Sequence, residues 1–363
     1  ILNQTSSANR TRFIIVMSDG VANIRSTPTC SDINAISSYQ PTIFQVGDSG
    51  LILKLNLSTN VWTNFSSSTT NNLLAADIFD NSFGFAAGAN VLRRWDGSSW
   101  QTATAPTSNN VNGVSIVSGN LAFAVSGNRN IYRWDGSSWS STQIASTGIA
   151  LNDIKMLNGT FGFAVGSSGR IYRWNGVSWS ESTQGSNTYY TVDIYNGTFG
   201  FAGGANNELR KWNGNSWTSQ SGISGTIRDI SILNTTLAFA SSSNGRIYRW
   251  NGGNGWSTDY IGTYSLYTIR VINSTYSISA GNSRAGLIEW KGSSWISSFP
   301  GYLFQGTSTT GTSCSDAYSC SLTTSIPALN ANYSSCRANK DLSAIVYSIG
   351  FGPVSICDFG RST

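Results

Sequence analysis

The stretch LNDIKMLNGTFGFAVGSSGRIYRWNGVSWSES, residues 151–182, decides the fold. It divides into four short apolar segments, LNDIKML, FGFAVG, RIYRWN and SWSES, and the breaks between them, NGT, SSG and NG, are turn chemistry. Within RIYRWN, alternation puts Ile171 and Arg173 on one side of a strand and Tyr172 and Trp174 on the other. The glycine-rich breaks leave no run long enough for a helix, and the aromatic stripe reads as packing between neighbouring sheets.

The same unit recurs along the chain. RRWDGSSW ends at Trp100, IYRWDGSSW at Trp139, IYRWNGVSW at Trp179, LRKWNGNSW at Trp217, IYRWNGGNGW at Trp256 and LIEWKGSSW at Trp295. The first tryptophans, Trp95, Trp134, Trp174, Trp212, Trp250 and Trp290, follow one another at steps of 39, 40, 38, 38 and 40 residues. A degenerate copy precedes them, with Leu55 standing 40 residues before Trp95. Seven four-stranded units of this length predict a seven-bladed β-propeller over 31–300, mostly β overall. Blade one (INAISSY, TIFQVG, LILKLN, VWTNF) and blade seven (YTIRVI, YSISAG, LIEWK, SWISSF) each read as complete, so no strand is borrowed to close the ring.

Composition agrees with this class. Only 11% of residues are charged, while 13 Trp, 15 Tyr and 16 Phe supply apolar surface. The net charge of +5 is spread thinly with no basic run, which argues against nucleic acid as a partner. No stretch approaches a membrane span, and the polar first residues, Ile1 to Arg12, lack a signal pattern, so the chain is expected to be a processed or excerpted piece. There is no histidine, which excludes a mixed Cys/His zinc site; Cys30, Cys314, Cys320, Cys336 and Cys357 all lie outside the repeats and point to disulfides. Cys30 with Cys314 would clamp the two roots of the propeller, and Cys320 with Cys336 or Cys336 with Cys357 would form a second bridge. Nine Asn-x-Ser/Thr sequons begin at Asn3, Asn9, Asn56, Asn64, Asn158, Asn196, Asn234, Asn273 and Asn332. These features predict a secreted or cell-surface glycoprotein.

The Trp-Asp-Gly-Ser-Ser-Trp turn resembles the Asp box of sialidase-type and related propellers, with Asp96 and Asp135 at the Asp position and Asn175, Asn213 and Asn251 in later copies. That resemblance implies a structural role, the short side chain bonding the backbone of its own turn. Asp boxes occur in enzymes, lectins and assembly factors alike.

The flanks resemble part of a von Willebrand factor A domain. Residues 12–20, RFIIVMSDG, give a strand ending in SDG; residues 333–352, YSSCRANKDLSAIVYSIGFG, give a helix leading into a strand ending in IGFG. The resemblance implies a small, incomplete α/β base, 1–30 and 301–363, with the propeller inserted between them. Of that family's Mg²⁺ or Ca²⁺ ligands only Asp19 has a counterpart, since the DxSxS and Thr loops are absent. No cofactor is otherwise required, and another segment or chain would complete the sheet.

In a blade, the turn joining strands one and two shares a face, here the turn face, with the turn joining strands three and four. The flanks therefore join the opposite, connecting face. Asn158, Asn196, Asn234 and Asn273 fall in the same turn of blades four to seven, so sugar would shield that sector of the turn face and leave blades one to three for a partner. On the connecting face, the loops between strands two and three carry only Asp48 and Glu208 as acids. Catalysis is not expected: nothing brings a carboxylate pair together, and no base stands beside a nucleophile. Asp77, Asp153, Asp193 and Asp229 recur before Ile in strand one. As a ring they would hold a cation; alternatively each pairs with a turn amide or with Arg94, Arg133, Arg173 or Arg249. The predicted function is non-catalytic adhesion or surface and filament structure, with protein or glycan as partner. Alternatives are a glycan-processing hydrolase or lectin and a protein-assembly scaffold.

Overall fold

The computed structural model describes residues 12–15, 32–144, 149–282, 287–298 and 344–347. Seven four-stranded antiparallel sheets follow one another along the chain, each in sequential strand order, so every blade is one contiguous segment. The chain divides into two compact units, with Cys30–Asn60 and Asn64–Phe299 in the propeller unit and Ile1–Thr29 and Pro300–Thr363 in the other. In the second unit, Arg12–Ile15 and Ala344–Tyr347 pair in parallel, Arg12 opposite Ala344 and Ile15 opposite Tyr347. The helix expected before Ala344, the SDG turn with Asp19, and all five cysteines lie outside the described residues, as do Asn3, Asn9 and Asn332.

The innermost strands are Ile33–Tyr39, Leu73–Asp80, Val111–Ser118, Leu151–Asn158, Tyr189–Asn196, Ile227–Asn234 and Leu266–Asn273. Alternation along each blade sends one set of side chains to the preceding blade and the other to the next. Six blade interfaces share a wedge of three rings: a strand-two phenylalanine against both tryptophans of the following blade. Phe163 lies 5.0 Å from Trp212 and 5.0 Å from Trp217, and Phe239 lies 4.9 Å from Trp295. Such edge-on contacts add to the area the rings bury. At the seam between blades seven and one the wedge is missing, because Ile278 occupies the phenylalanine position and Leu55 the first tryptophan position.

Each first tryptophan also reaches sideways. The indole N–H of Trp95, Trp134, Trp174, Trp212, Trp250 and Trp290 donates to a carbonyl of its own blade's first turn, at 2.8–3.2 Å. This bond places the first turns and the WDG-type turns on one face, as expected. The latter are built as the Asp box implies: Asp96 Oδ1 accepts the amides of Ser98 and Ser99 at 2.8 Å each, and Asn175 does the same for Val177 and Ser178. Gly97 sits at φ +100, where a side chain is strained. These amides hold the Asp96 and Asp135 carboxyls well below the usual carboxylate range. The turn of blade six differs, opening into a 3-10 turn over Gly252–Asn254.

Candidate functional site

The axial channel is the cavity of interest, about 180 Å³ in volume and lined by the innermost strands of all seven blades. Its shape follows from a defect in the ladder. In every innermost strand the register slips between the first and third residues, so the second residue is a bulge. A bulged residue leaves the pairing and is re-aimed. Here it turns to the channel, and the seven residues so placed are Asn34, Leu74, Asn112, Asn152, Tyr190, Arg228 and Tyr267.

Below this ring, side chains stitch each innermost strand to the next blade. Ser37 Oγ accepts the Ile78 amide at 3.0 Å, and Ser115 and Ser231 repeat the bond with Met156 and Val271. Asp77 takes the Ile116 amide at 2.8 Å, Asp153 that of Val192 at 2.9 Å, Asp193 that of Ile232 at 2.8 Å and Asp229 that of Ile269 at 2.8 Å. The four aspartates therefore do not form one ring. Asp153 and Asp229 are third residues of their strands and Asp77 and Asp193 are fifth residues, in two tiers.

Their partners also differ from the expectation: they are amides of the neighbouring strand rather than turn amides or the recurring arginines. Arg94, Arg173 and Arg249 stack on rings instead. Arg173 lies over Phe161 and over Trp212 of the next blade, 5.2 and 5.4 Å from the ring centres, and Arg249 lies 5.3 Å over Trp290. Cations placed so cap the aromatic wedges.

Burial dominates the two upper carboxyls. It pushes Asp153 up to about 7, with the like charge of Asp229 adding to it against the amide bonds of Val192 and Ile154 and the charge of Lys155. It pushes Asp229 up to about 6, the amide of Ile269 and the hydroxyl of Thr268 opposing and Asp193 adding. Lys155 stands 3.7 Å from Asp193. Among the described residues no group of three or more His, Cys, Asp or Glu is arranged to hold a metal ion.

Asp48 and Glu208 are not brought together. Asp48 lies in blade one and accepts Asn34 Nδ2 at 2.9 Å; Glu208 lies in blade five, bonded to Arg210 at 2.6 Å, Asn187 at 3.1 Å and Tyr189 at 3.2 Å. The sequons at Asn158, Asn196, Asn234 and Asn273 share one turn. Each Oδ1 accepts the amide and the hydroxyl of the threonine two residues on, at 2.8–3.0 Å. No Nδ2 of the four donates to a described residue. Asp80 makes the same turn with Ser82 in blade two, so the turn by itself accounts for Asn or Asp there. Asn56 caps the turn between strands three and four of blade one through Ser58, and Asn64 is exposed on its fourth strand.

Sequence reading missed a second set of bulges. In blades two to seven the innermost strand slips again just before its last residue, re-aiming Phe79, Val117, Leu157, Tyr195, Leu233 and Ile272; Tyr39 holds that position in blade one. Phe79, Leu157, Tyr195 and Tyr39 are each about two-fifths exposed. The turn-face end of every innermost strand thus carries an apolar side chain, whereas the opposite end is mostly polar. Among the described residues no helix is long and apolar enough to cross a membrane.

No family model and no curated protein matches the chain. Solved structures do. The WD40 repeats of RRP9 superpose with a TM-score of 0.59 at 14% identity, covering 69% of this chain and 88% of that one. The computationally designed Ika8 protein gives 0.56 at 11% identity, covering 74% and 86%. Likeness at these identities is a likeness of fold.

Proposed function

We propose that the chain is the propeller-bearing part of a secreted or cell-surface glycoprotein that binds or displays without catalysis, in adhesion or in surface or filament structure. The parallel pair Arg12–Ile15 and Ala344–Tyr347 belongs, on this reading, to a von Willebrand factor A-like base, where Asp19 would be the residue available to Mg²⁺ or Ca²⁺. The observation that carries the proposal is the common geometry of Asn158, Asn196, Asn234 and Asn273. In each the carbonyl oxygen is committed to the turn and the amide nitrogen makes no bond to a described residue. Such a nitrogen is free to carry sugar.

A supporting point is that each channel aspartate already accepts a backbone amide of the next blade, which leaves these carboxylates tied to architecture. Expression in a glycosylating host followed by intact glycopeptide mass spectrometry tests the reading: sugar is expected on all four asparagines. Unmodified asparagine at every one overturns the glycoprotein assignment. Glycoside turnover that disappears with Glu208→Gln would overturn the non-catalytic one.

A second reading, an assembly scaffold, is favoured by the exposed side chains of Tyr39, Phe79, Leu157 and Tyr195 at the turn-face end of their innermost strands. Concentration-dependent self-association abolished by Tyr195→Asn would support it.

A further inference from the structure

The second residue of the innermost strand is architectural in three blades. Asn112 and Asn152 donate through Nδ2 to the first-residue carbonyls of the next blade, Leu151 and Tyr189, at 2.8 and 2.7 Å, and Asn34 does so to Leu73 at 3.0 Å. Blade two has Leu74 there, with no donor to make the clasp, and blades five, six and seven abandon it in succession. Tyr190, Arg228 and Tyr267 stand there, all three line the channel, and none of their side chains makes a hydrogen bond to a described residue. In a repeat, positions that keep one residue serve the common architecture; a run of adjacent departures that forgoes a bond at each step needs another reason.

The chemistry of the ring is two-sided. Arg228 lies over the Tyr190 ring, 4.8 Å from its centre, and among the described residues it has no carboxylate partner and its enclosed Nε has no acceptor. With the two phenols it presents donors from three consecutive blades. On the other side Asn34, Asn112 and Asn152 each commit an Nδ2 hydrogen to the clasp, Asn34 giving its second to Asp48, and their amide oxygens, on residues that line the channel, accept from no described residue.

From this arrangement we infer that the channel mouth at the bulge ring binds a hydroxylated carboxylate of sugar-acid size, its carboxylate on Arg228 between Tyr190 and Tyr267 and its hydroxyls on the three asparagine oxygens. A planar guanidinium suits a carboxylate better than any other single side chain does. The tyrosine rings add apolar faces for the carbon skeleton. The channel volume, about 180 Å³, is on the scale of one such unit. The ligand is either a free sugar acid or the terminal residue of an acidic glycan. The inference rests on the reading of the propeller as a binding module but not on its glycosylation.

Titration calorimetry of the full chain with D-glucuronate, D-glucose and acetate decides the matter. Glucuronate is expected to bind, and glucose and acetate to bind at least about tenfold more weakly, since each lacks half of the recognised groups. Arg228→Gln should lower glucuronate affinity by roughly tenfold or more while leaving the melting temperature unchanged, and Tyr267→Phe should lower it by less. A glucuronate-terminated oligosaccharide binding more tightly than the free acid identifies a glycan end as the natural source; equal or weaker binding identifies the free acid. No heat with glucuronate, equal binding of glucose or acetate, or an unchanged affinity in Arg228→Gln overturns the inference. None of these results bears on the glycopeptide map that tests the glycoprotein reading.

Discussion

Thr268 Oγ1 in the seventh blade accepts the amide hydrogen of Ile36 in the first at 3.1 Å, and the same hydroxyl donates to Asp229 of the sixth at 2.9 Å. One side chain thus links three blades across the seam that lacks the aromatic wedge. Arg270 to Ser38 at 3.0 Å and Gln40 to the Ile272 carbonyl at 3.4 Å complete the closure.

If this seam is where the ring opens, Thr268→Val should cost about 1–3 kcal/mol, the penalty for stranding a buried donor. The Ile36 amide should then exchange with solvent well before that of Ile116, while Thr268→Ser restores both. Equal exchange at Ile36 and Ile116 in Thr268→Val would show that the seam is no weaker than the other interfaces.

Stability should fall as the solution is taken from mildly acid to neutral. Asp153 and Asp229 are pushed up to about 7 and about 6 in the folded chain, so the fold binds their protons more tightly than the unfolded chain does. Their contribution is complete below the unfolded carboxyl value of roughly 4 and is lost as pH rises through 6 and 7. The melting temperature, followed from pH 4 to 8, should decline over that window. Asp153→Asn should flatten the upper part of the decline, and an unchanged profile in that variant counts against burial as its cause.

The WDG-type turn can be built on a neutral acceptor, because Asn175 and Asn213 build it as Asp96 and Asp135 do. Asp96→Asn keeps the acceptor and loses only the charge that the two amides favour, so it is expected to lower the melting temperature slightly. Asp96→Ala should lower it further, because the amides of Ser98 and Ser99 lose their partner. Thermal denaturation of the two variants side by side separates geometry from electrostatics.

Trp212 closes its wedge and also donates to the Gly197 carbonyl at 2.8 Å. Trp212→Phe keeps an aromatic ring but removes the donor and part of the packing, at an expected cost of about 1–3 kcal/mol in chemical denaturation. The Gly197 turn should show it as faster amide exchange there.

Blade number, strand order and the turn face were legible because they rest on local chemistry: the recurring tryptophans, the turn residues and period-two alternation all point the same way. The channel was not. Asp77 and Asp153 occupy the same dipeptide context, Asp-Ile, yet lie in different tiers, because one is the fifth and the other the third residue of its strand and the dipeptide does not set that level; a one-residue bulge is likewise invisible in the pattern. For the same reason Tyr190, Arg228 and Tyr267 looked like ordinary strand residues. Lining up the seven innermost strands on their first buried residue, Leu73 or Tyr189 for instance, would have displayed them as departures from asparagine. The cation partners were misjudged for a different reason. Opposite charges in a repeat suggest pairing, but a guanidinium beside a tryptophan gains from the ring while keeping its water.

Because every blade is one unbroken stretch of chain and no strand is shared across the seam, the ring has no privileged beginning. Joining residues 33 and 298 by a short linker and opening the chain instead between Thr183 and Tyr189 would preserve every sheet and every strand-to-strand stitch. By the same logic the blade is a unit that can be copied whole. The near-identical third strands RIYRW at 170–174 and 246–250 are what repeated duplication of such a unit would leave behind.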